Sequence, residues 1–248
     1  MTPITLITGA SRGIGAATAR LCAVQGHRVA INYTRDAGAA DEVARQVQAL
    51  GAEAMTIQAD VSQEADVLRM FEAVDARWGR LTGLVNNAGI VDVKARVDEM
   101  SFERLQRMFA INVHGSFLCA REAVRRMSTQ HGGVGGAIVN VSSVAARAGG
   151  SNQYVDYAAS KGAIDTFTIG LSKEVAAEGI RVNAVRPGIT DTEIHASGGQ
   201  PERAWALASQ IPMQRPGHPD EIAQAVVWLL SGAASYTTGA LLDVGGGR

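Results

Sequence analysis

The chain has 248 residues, a formal net charge of -1, and 46% hydrophobic against 19% charged residues. That composition excludes a disordered chain and supplies enough apolar side chain for a large core. The near-neutral charge gives no sign of a polyanion-binding surface, so no nucleic-acid partner is expected.

No window holds the ~18 uninterrupted apolar residues of a membrane span, so no membrane association is expected. The start, Met-Thr-Pro-Ile-Thr-Leu-Ile-Thr, lacks a basic segment before a long apolar stretch, so it is not read as a secretory leader. Cys22 and Cys119 lie 97 positions apart (119 − 22) and form no CxxC pair; they read as small apolar residues on helix faces. His27, His114, His131, His195 and His218 show no metal-ligand spacing, and no metal is expected. A soluble protein in the reducing cytoplasm is the resulting expectation.

Short Val- and Ile-rich runs alternate with longer helical patterns along the chain. The runs Ile4–Thr8, Arg28–Tyr33, Glu53–Gln58, Gly83–Asn86, Ala137–Val141, Arg181–Arg186 and Ala240–Val244 predict strands. Several are apolar without strict alternation, as in strands covered on both faces. Between them, Gly13–Gln25, Gly38–Leu50, Glu64–Trp78, Phe102–Met127, Val155–Glu178 and Pro219–Leu230 predict helices. Asp60-Val61-Ser62 is a candidate cap for the third helix, and Pro219 fits a first helical turn. This alternation predicts an α/β fold of the Rossmann type: one domain over 1–248, with a doubly wound parallel sheet of seven strands and helices on both faces. Ligands bind such sheets beyond the carboxyl ends of the strands, so each motif below should follow a predicted strand. The stretch 190–217 breaks the rhythm and is the candidate substrate lid.

The first strand runs into Thr8-Gly9-Ala10-Ser11-Arg12-Gly13-Ile14-Gly15. Glycines at 9, 13 and 15 permit a tight turn and close backbone approach to a pyrophosphate, and the helix that follows presents free N–H groups to it. A glycine turn without a ligand is the bland alternative, and the strand–turn–helix context weighs against it. The second strand ends Asn32-Tyr33-Thr34-Arg35, with Tyr33 where NAD-preferring folds usually carry an acid for the ribose hydroxyls. Arg35 and Arg12 are suited to a 2′-phosphate, so NADP is favoured over NAD. Asp36 keeps NAD open, because a shift of one residue would bring it to that position.

Tyr157 and Lys161 are four apart (161 − 157) in a helical pattern and share a face. A phenol with a reference pKa near ~10 is a poor base at neutral pH, and a nearby ammonium lowers that value. The pair is a candidate general acid in reduction and base in oxidation. The fifth strand ends Val139-Asn140-Val141-Ser142-Ser143, placing a serine hydroxyl where charge on a substrate oxygen needs a donor. Asn112 lies in the apolar run Phe109–Val113 and is costly there unless its amide is satisfied.

The glycine turn, Asn86-Asn87-Ala88-Gly89, Tyr157-Ala158-Ala159-Ser160-Lys161 and Arg186-Pro187-Gly188 occur in an order that resembles the classical short-chain dehydrogenase/reductase family over nearly the whole chain. The members nearest in pattern are sugar (glucose) dehydrogenases and 3-oxoacyl-carrier-protein reductases. The resemblance implies an oxidoreductase moving a hydride between NADP(H), or NAD, and a carbonyl/secondary-alcohol substrate. It implies catalytic Asn112, Ser143, Tyr157 and Lys161. Ser142 stays open beside Ser143, because Ser143 precedes Tyr157 by 14 positions (157 − 143), one more than in many members. It implies cofactor contacts from Gly9, Ser11, Arg12, Gly13, Ile14, Gly15, Arg35, Asp60, Val61, Asn87, Ala88, Gly89, Tyr157, Lys161, Pro187, Gly188, Ile189 and Thr192. Asn112 would kink its helix and hold a water serving Lys161. A homotetramer built through the long helices and the C-terminal strand is implied as well. The rival class is a non-catalytic dinucleotide-sensing regulator, which has no use for a proton donor. His195 reads more readily as a solvated residue than as a substrate contact, and Arg125-Arg126 as a solvated helix end, whereas Trp205, Leu207 and Met213 either line a substrate pocket or pack the lid down.

Overall fold

The computed structural model describes residues 2–248. Seven strands form one sheet: β1 Ile4–Ile7, β2 Arg28–Tyr33, β3 Ala54–Gln58, β4 Gly83–Asn86, β5 Gly136–Val141, β6 Ile180–Pro187 and β7 Leu241–Val244. Their order is β3-β2-β1-β4-β5-β6-β7, and every pairing is parallel. The α-helices are α1 Gly13–Val24, α2 Ala37–Ala49, α3 Glu64–Trp78, α4 Phe102–Phe109, α5 Gly115–Met127, α6 Ala145–Ala148, α7 Val155–Val175, α8 Ile194–Ser197, α9 Arg203–Ala206 and α10 Pro219–Leu230.

The near-continuous apolar strands have a simple cause: both faces of the sheet are covered. Neighbouring residues point to opposite faces. Ile7, Val85 and Val139 pack under α1, α2 and α10 through Cys22, Val47 and Val226. Leu6, Leu84 and Ile138 pack under α3, α5 and α7 through Phe71, Cys119 and Val175. The two cysteines sit on opposite sides of the sheet, and burial pushes each thiol up to about 12. Among the described residues no helix is long and apolar enough to cross a membrane.

The chain winds outward from β1 in both directions, so the connections that leave the carboxyl ends of β1 and β4 run to helices on opposite faces of the sheet. This is the switch point where such sheets bind ligands.

Three sequence expectations are corrected locally. The helix expected over Phe102–Met127 is two helices joined by a π-helical turn, Ala110–His114, with buried Asn112 at its centre. The wider turn lets the Asn112 side chain serve another segment of backbone. Asp60 does not cap α3. Its carboxylate accepts from the Ser62 amide (2.9 Å) and hydroxyl (2.7 Å), and Gln63 precedes the helix without a side-chain cap bond. Arg126 is no solvated helix end, because Asp75 (2.7 Å) and Glu122 (2.9 Å) hold it over the Phe71 ring.

Candidate active site

The glycine turn is built for close contact. Gly9 and Gly13 have φ of +61° and +55°, a region that side chains rarely adopt. A Cβ on Gly15 would lie 2.7 Å from the Gly9 carbonyl oxygen, 2.8 Å from the Ala10 Cα and 2.6 Å from the Asn87 side chain. Gly15→Ala is therefore expected to push α1 off the turn, at about 1–3 kcal/mol for an overpacked site. A thermal melt and a dinucleotide titration check this: lower Tm and weakened binding are expected together.

Arg12 precedes α1 with no side-chain cap bond, and the first turn of the helix carries no acid. The amides there are left for an anion. Asn87 Nδ2 donates to the Thr8 and Gly9 carbonyls (2.8 and 3.0 Å), and the Thr8 hydroxyl accepts from the Asn87 and Ala88 amides (3.0 and 2.9 Å). These bonds clamp the end of β4 to the glycine turn. Asn86 spans from β4 to Asn140 on β5 (2.9 Å), and Asn140 donates to Thr168 on α7 (2.8 Å).

Sequence reasoning missed Asn32. Buried in β2, it accepts from the Gly9 amide (3.1 Å) and donates to the Ala59 carbonyl (3.0 Å). One side chain thus ties together the segments after β1 and β3. The signal was an amide inside the apolar run Val29–Tyr33.

Tyr33 ends β2. The guanidinium groups of Arg12 and Arg35 are exposed and have no hydrogen-bond or salt-bridge partner among the described residues. Asp36 is engaged elsewhere: its carboxylate caps α2 by accepting from the Ala39 amide (2.9 Å). Asp60 and Val61 follow β3, with Asp60 half-buried and Val61 buried. Ser11 and Ile14 are half-buried within the turn. Pro187 ends β6, and Gly188 packs so closely on Gly245 that a Cβ would lie 2.6 Å from its Cα. Ile189 accepts from the Gly217 amide (2.9 Å), and the Thr192 methyl reaches to 3.4 Å from a Cβ built on Gly13. The segment after β6 therefore arches over the glycine turn.

Tyr157 and Lys161 project from α7 past the end of β5. The Lys161 ammonium is buried, donates to the Val141 carbonyl (2.7 Å), and stands 5.7 Å from the centre of the Tyr157 ring. Burial lowers its pKa from 10.5 to about 8, and Asp165 opposes that shift. The Tyr157 phenol differs from the sequence expectation. Burial raises its pKa above the ordinary 10, a hydrogen bond with Ser143 pulls the other way, and the net shift is upward. Desolvating a phenolate outweighs what its neighbours in this chain return.

The two serines separate as strand alternation requires. Ser143 lies against Tyr157, and its hydroxyl also accepts from the Ala145 amide (3.1 Å). Ser142 is buried, and its hydroxyl donates to the Lys161 carbonyl (3.2 Å) behind α7. The connection to Tyr157 turns through Gly149, Gly150 and Asn152, all with positive φ. Asn112 joins the group through the backbone: it accepts from the Ile90 amide (2.8 Å) and donates to the Ile90 carbonyl (3.0 Å) and the Ser160 hydroxyl (3.1 Å). A Cβ on Gly89 would meet Asn112 Oδ1 at 3.4 Å and Lys161 Nζ at 3.5 Å, so the two flank one narrow space.

The stretch 190–217 leaves the end of β6 and packs against the segment before α7. Thr190 and Gly217 pair at its base. Gln200 donates to the Tyr154 hydroxyl (2.8 Å), and Arg203 donates to Gln153 (2.9 Å). His195 is not solvated: it is half-buried, its Nε2 lies 2.9 Å from the Thr190 carbonyl, and burial lowers its pKa. Trp205 is 59% exposed and donates to Asp191 (3.0 Å).

A doubly wound parallel sheet, a glycine turn at its switch point and a Tyr–Lys pair beside it define an oxidoreductase of the Rossmann type. The chain belongs to the short-chain dehydrogenase/reductase family, whose members use nicotinamide dinucleotides; the family model described as enoyl-(acyl carrier protein) reductase matches residues 9–248. It is 56% identical to the uncharacterized oxidoreductase YgfF of Escherichia coli (strain K12), over 99% of both chains. It is 37% identical to glucose 1-dehydrogenase 2 of Bacillus subtilis (strain 168), covering 98% of this chain and 93% of the relative. Among solved structures, acetoin dehydrogenase YohF from Salmonella typhimurium superimposes with a TM-score of 0.88 at 37% identity, covering 100% of this chain and 97% of that one.

Proposed function

We propose that this oxidoreductase catalyses reversible hydride transfer between NADP(H) and a small carbonyl/secondary-alcohol pair, with Tyr157 as the proton-transferring group. The observation that carries the reading is the convergence of the Tyr157 phenol, the Ser143 hydroxyl and the buried Lys161 ammonium beside the glycine turn. The nicotinamide, when bound, supplies or accepts the hydride.

The chain's own residues suit such a cofactor. The α1 amides and the Gly9–Gly15 turn would hold the pyrophosphate. Asp60 and Val61 would border the adenine, and Asn87, Ala88 and Gly89 the adjoining ribose. Lys161 would hold the nicotinamide ribose hydroxyls. Pro187, Gly188, Ile189 and Thr192 would orient the carboxamide. In reduction the Ser143 hydroxyl donates to the substrate oxygen as charge develops on it, and Tyr157 delivers the proton. Asn112 and Lys161 flank the narrow space through which that proton is replaced.

NADP is favoured because Arg12 and Arg35 have free guanidinium forks while Asp36 is spent on α2. Replacing both arginines by Ala is expected to raise KM for NADPH about 10–100-fold, the scale of losing charge-assisted hydrogen bonds, and KM for NADH far less. Equal effects on the two cofactors would reverse the preference.

The stretch 190–217 serves as the substrate lid, latched by Gln200 and Arg203 and hinged where Thr190 meets Gly217. A homotetramer in the cytoplasm completes the proposal. Exposed Phe102 and Phe117 near α7, and Trp228 and Tyr236 beside the β7 edge, offer the apolar faces it needs. Two of the three named relatives are a glucose 1-dehydrogenase and an acetoin dehydrogenase, which supports small neutral hydroxy or carbonyl compounds. A screen of NADPH oxidation across sugars, quinones, ketones and β-ketoacyl thioesters tests the proposal. Turnover of none of them, in a sample that binds NADPH, would favour a dinucleotide-sensing regulator.

A further inference from the structure

Lys161 sits in a desolvated seat, and a ladder of acidic and basic side chains leads away from it. Asp165 follows one turn later on α7 (165 − 161 = 4) and is 7% exposed. Its Oδ2 accepts from Arg186 Nε (2.9 Å) and stands 2.8 Å from a terminal nitrogen of the same guanidinium. Arg186, near the end of β6, reaches Asp243 on β7 (3.5 Å), and Asp243 pairs with Arg147 on α6 (2.7 Å). The signs alternate from the lysine to the edge strand.

The ladder engages only one of the two Asp165 carboxylate oxygens. Both Arg186 contacts fall on Oδ2, while Asp165 Oδ1 is buried and accepts no hydrogen bond among the described residues. Asp75, which holds Arg126 through Oδ2, likewise leaves a buried Oδ1 unpartnered, so what sets Asp165 apart is its place one helical turn from the buried Lys161. A buried polar atom without a partner is costly and calls for another role.

We infer that Asp165, held in place by Arg186, is a positioning residue whose charge holds Lys161 protonated in its buried seat. The inference rests on the reading of Lys161 as the ammonium partner of Tyr157. The surroundings of Lys161 leave no competitor. The Tyr157 ring faces it from one turn earlier on α7, neutral Asn112 from the π-helical turn, the Val141 carbonyl from β5 and Gly89 from the segment after β4, and Asp165 lies one turn later on α7. Burial pulls the lysine down to about 8, and Asp165 is the one charge that opposes it. Without that carboxylate the ammonium loses its proton at lower pH.

The chain has only three lysines, Lys94, Lys161 and Lys173, so the charge can be read directly. Protein labelled with 13C at lysine Cε is titrated by NMR as wild type, Asp165→Asn and Asp165→Glu. The Lys161 midpoint is expected to fall by about one pH unit in Asp165→Asn and to stay near wild type in Asp165→Glu. The alkaline limb of kcat/KM for carbonyl reduction should move down with it. If Asp165→Asn fails to fold, Asp165→Leu combined with Arg186→Met removes the pair without stranding a charge. The same direction of shift is then expected. Coincident Lys161 midpoints in wild type and in either charge-removing variant would overturn the inference. The titration needs no turnover, so it stands apart from the functional proposal. An active Tyr157→Phe enzyme would defeat that proposal alone, and an unmoved lysine beside an inactive Tyr157→Phe enzyme would defeat the inference alone.

Discussion

Tyr157→Phe is expected to lower kcat for carbonyl reduction by about 10²–10⁴-fold, the contribution of a positioned proton donor. The ring stays, and with it the packing of α7, so dinucleotide affinity is expected to remain within a few-fold of wild type. The difference is one oxygen, and that oxygen is the group that meets Ser143. The raised phenol pKa sets the direction of the pH response. A phenol that holds its proton through neutral pH is ready to donate in reduction. Alcohol oxidation needs the phenolate, so its rate should climb with pH where the reduction rate is still flat. Steady-state rates in both directions, with a fluorescence titration of NADPH, check the set. A variant that keeps full activity would remove Tyr157 from the reaction, and unaltered NADPH binding without turnover in either form would leave a sensor.

Arg104→Met is expected to have the largest effect on stability. Asp156 immediately precedes Tyr157 in the first turn of α7, and its side chain is 0% exposed. Arg104 from α4, itself 9% exposed, grips both carboxylate oxygens (2.8 and 3.2 Å) and sends its remaining nitrogen to the Val93 carbonyl (2.7 Å). The neighbouring Arg107 pairs with Asp92 on the same loop. Removing the guanidinium strands a buried carboxylate, at about 3–5 kcal/mol. For a domain of this size that corresponds to a fall in Tm of roughly 6–20 °C. Arg104→Lys keeps the charge but loses the fork, so a smaller loss is expected. The double variant Arg104→Met/Asp156→Leu should recover much of the stability, because no charge is left alone. Thermal melts of the three variants decide this, and a loss no greater in Arg104→Met than in the double variant would refute the argument. Because the pair ties α4 and the 92–93 loop to the start of α7, the damage should extend to catalysis.

The architecture and the centre of the candidate site were legible because they depend on neighbours in sequence. Apolar runs about five residues long, separated by helical periods, announce a covered parallel sheet whatever their partners. The glycine turn carries its own φ requirement at Gly9 and Gly13. Tyr157 and Lys161 lie four apart on one helix, so their meeting is local geometry. The remaining parts depended on the crossovers. Residue order does not announce that Arg104 meets Asp156 across 52 positions, or that Asn32 joins Gly9 across 23. Nor does it reveal that Asp60 would be taken by Ser62 rather than by a helix.

The order of residues by itself determined the fold, the glycine turn and the candidate acid–base pair, since each is written in spacings of a few residues. Only the tertiary structure decided which serine faces the phenol, which way burial moves its pKa, and which charges support the lysine. Those outcomes depend on distance and desolvation between segments far apart in the chain, and the packing of α7 against β5 and β6 sets both.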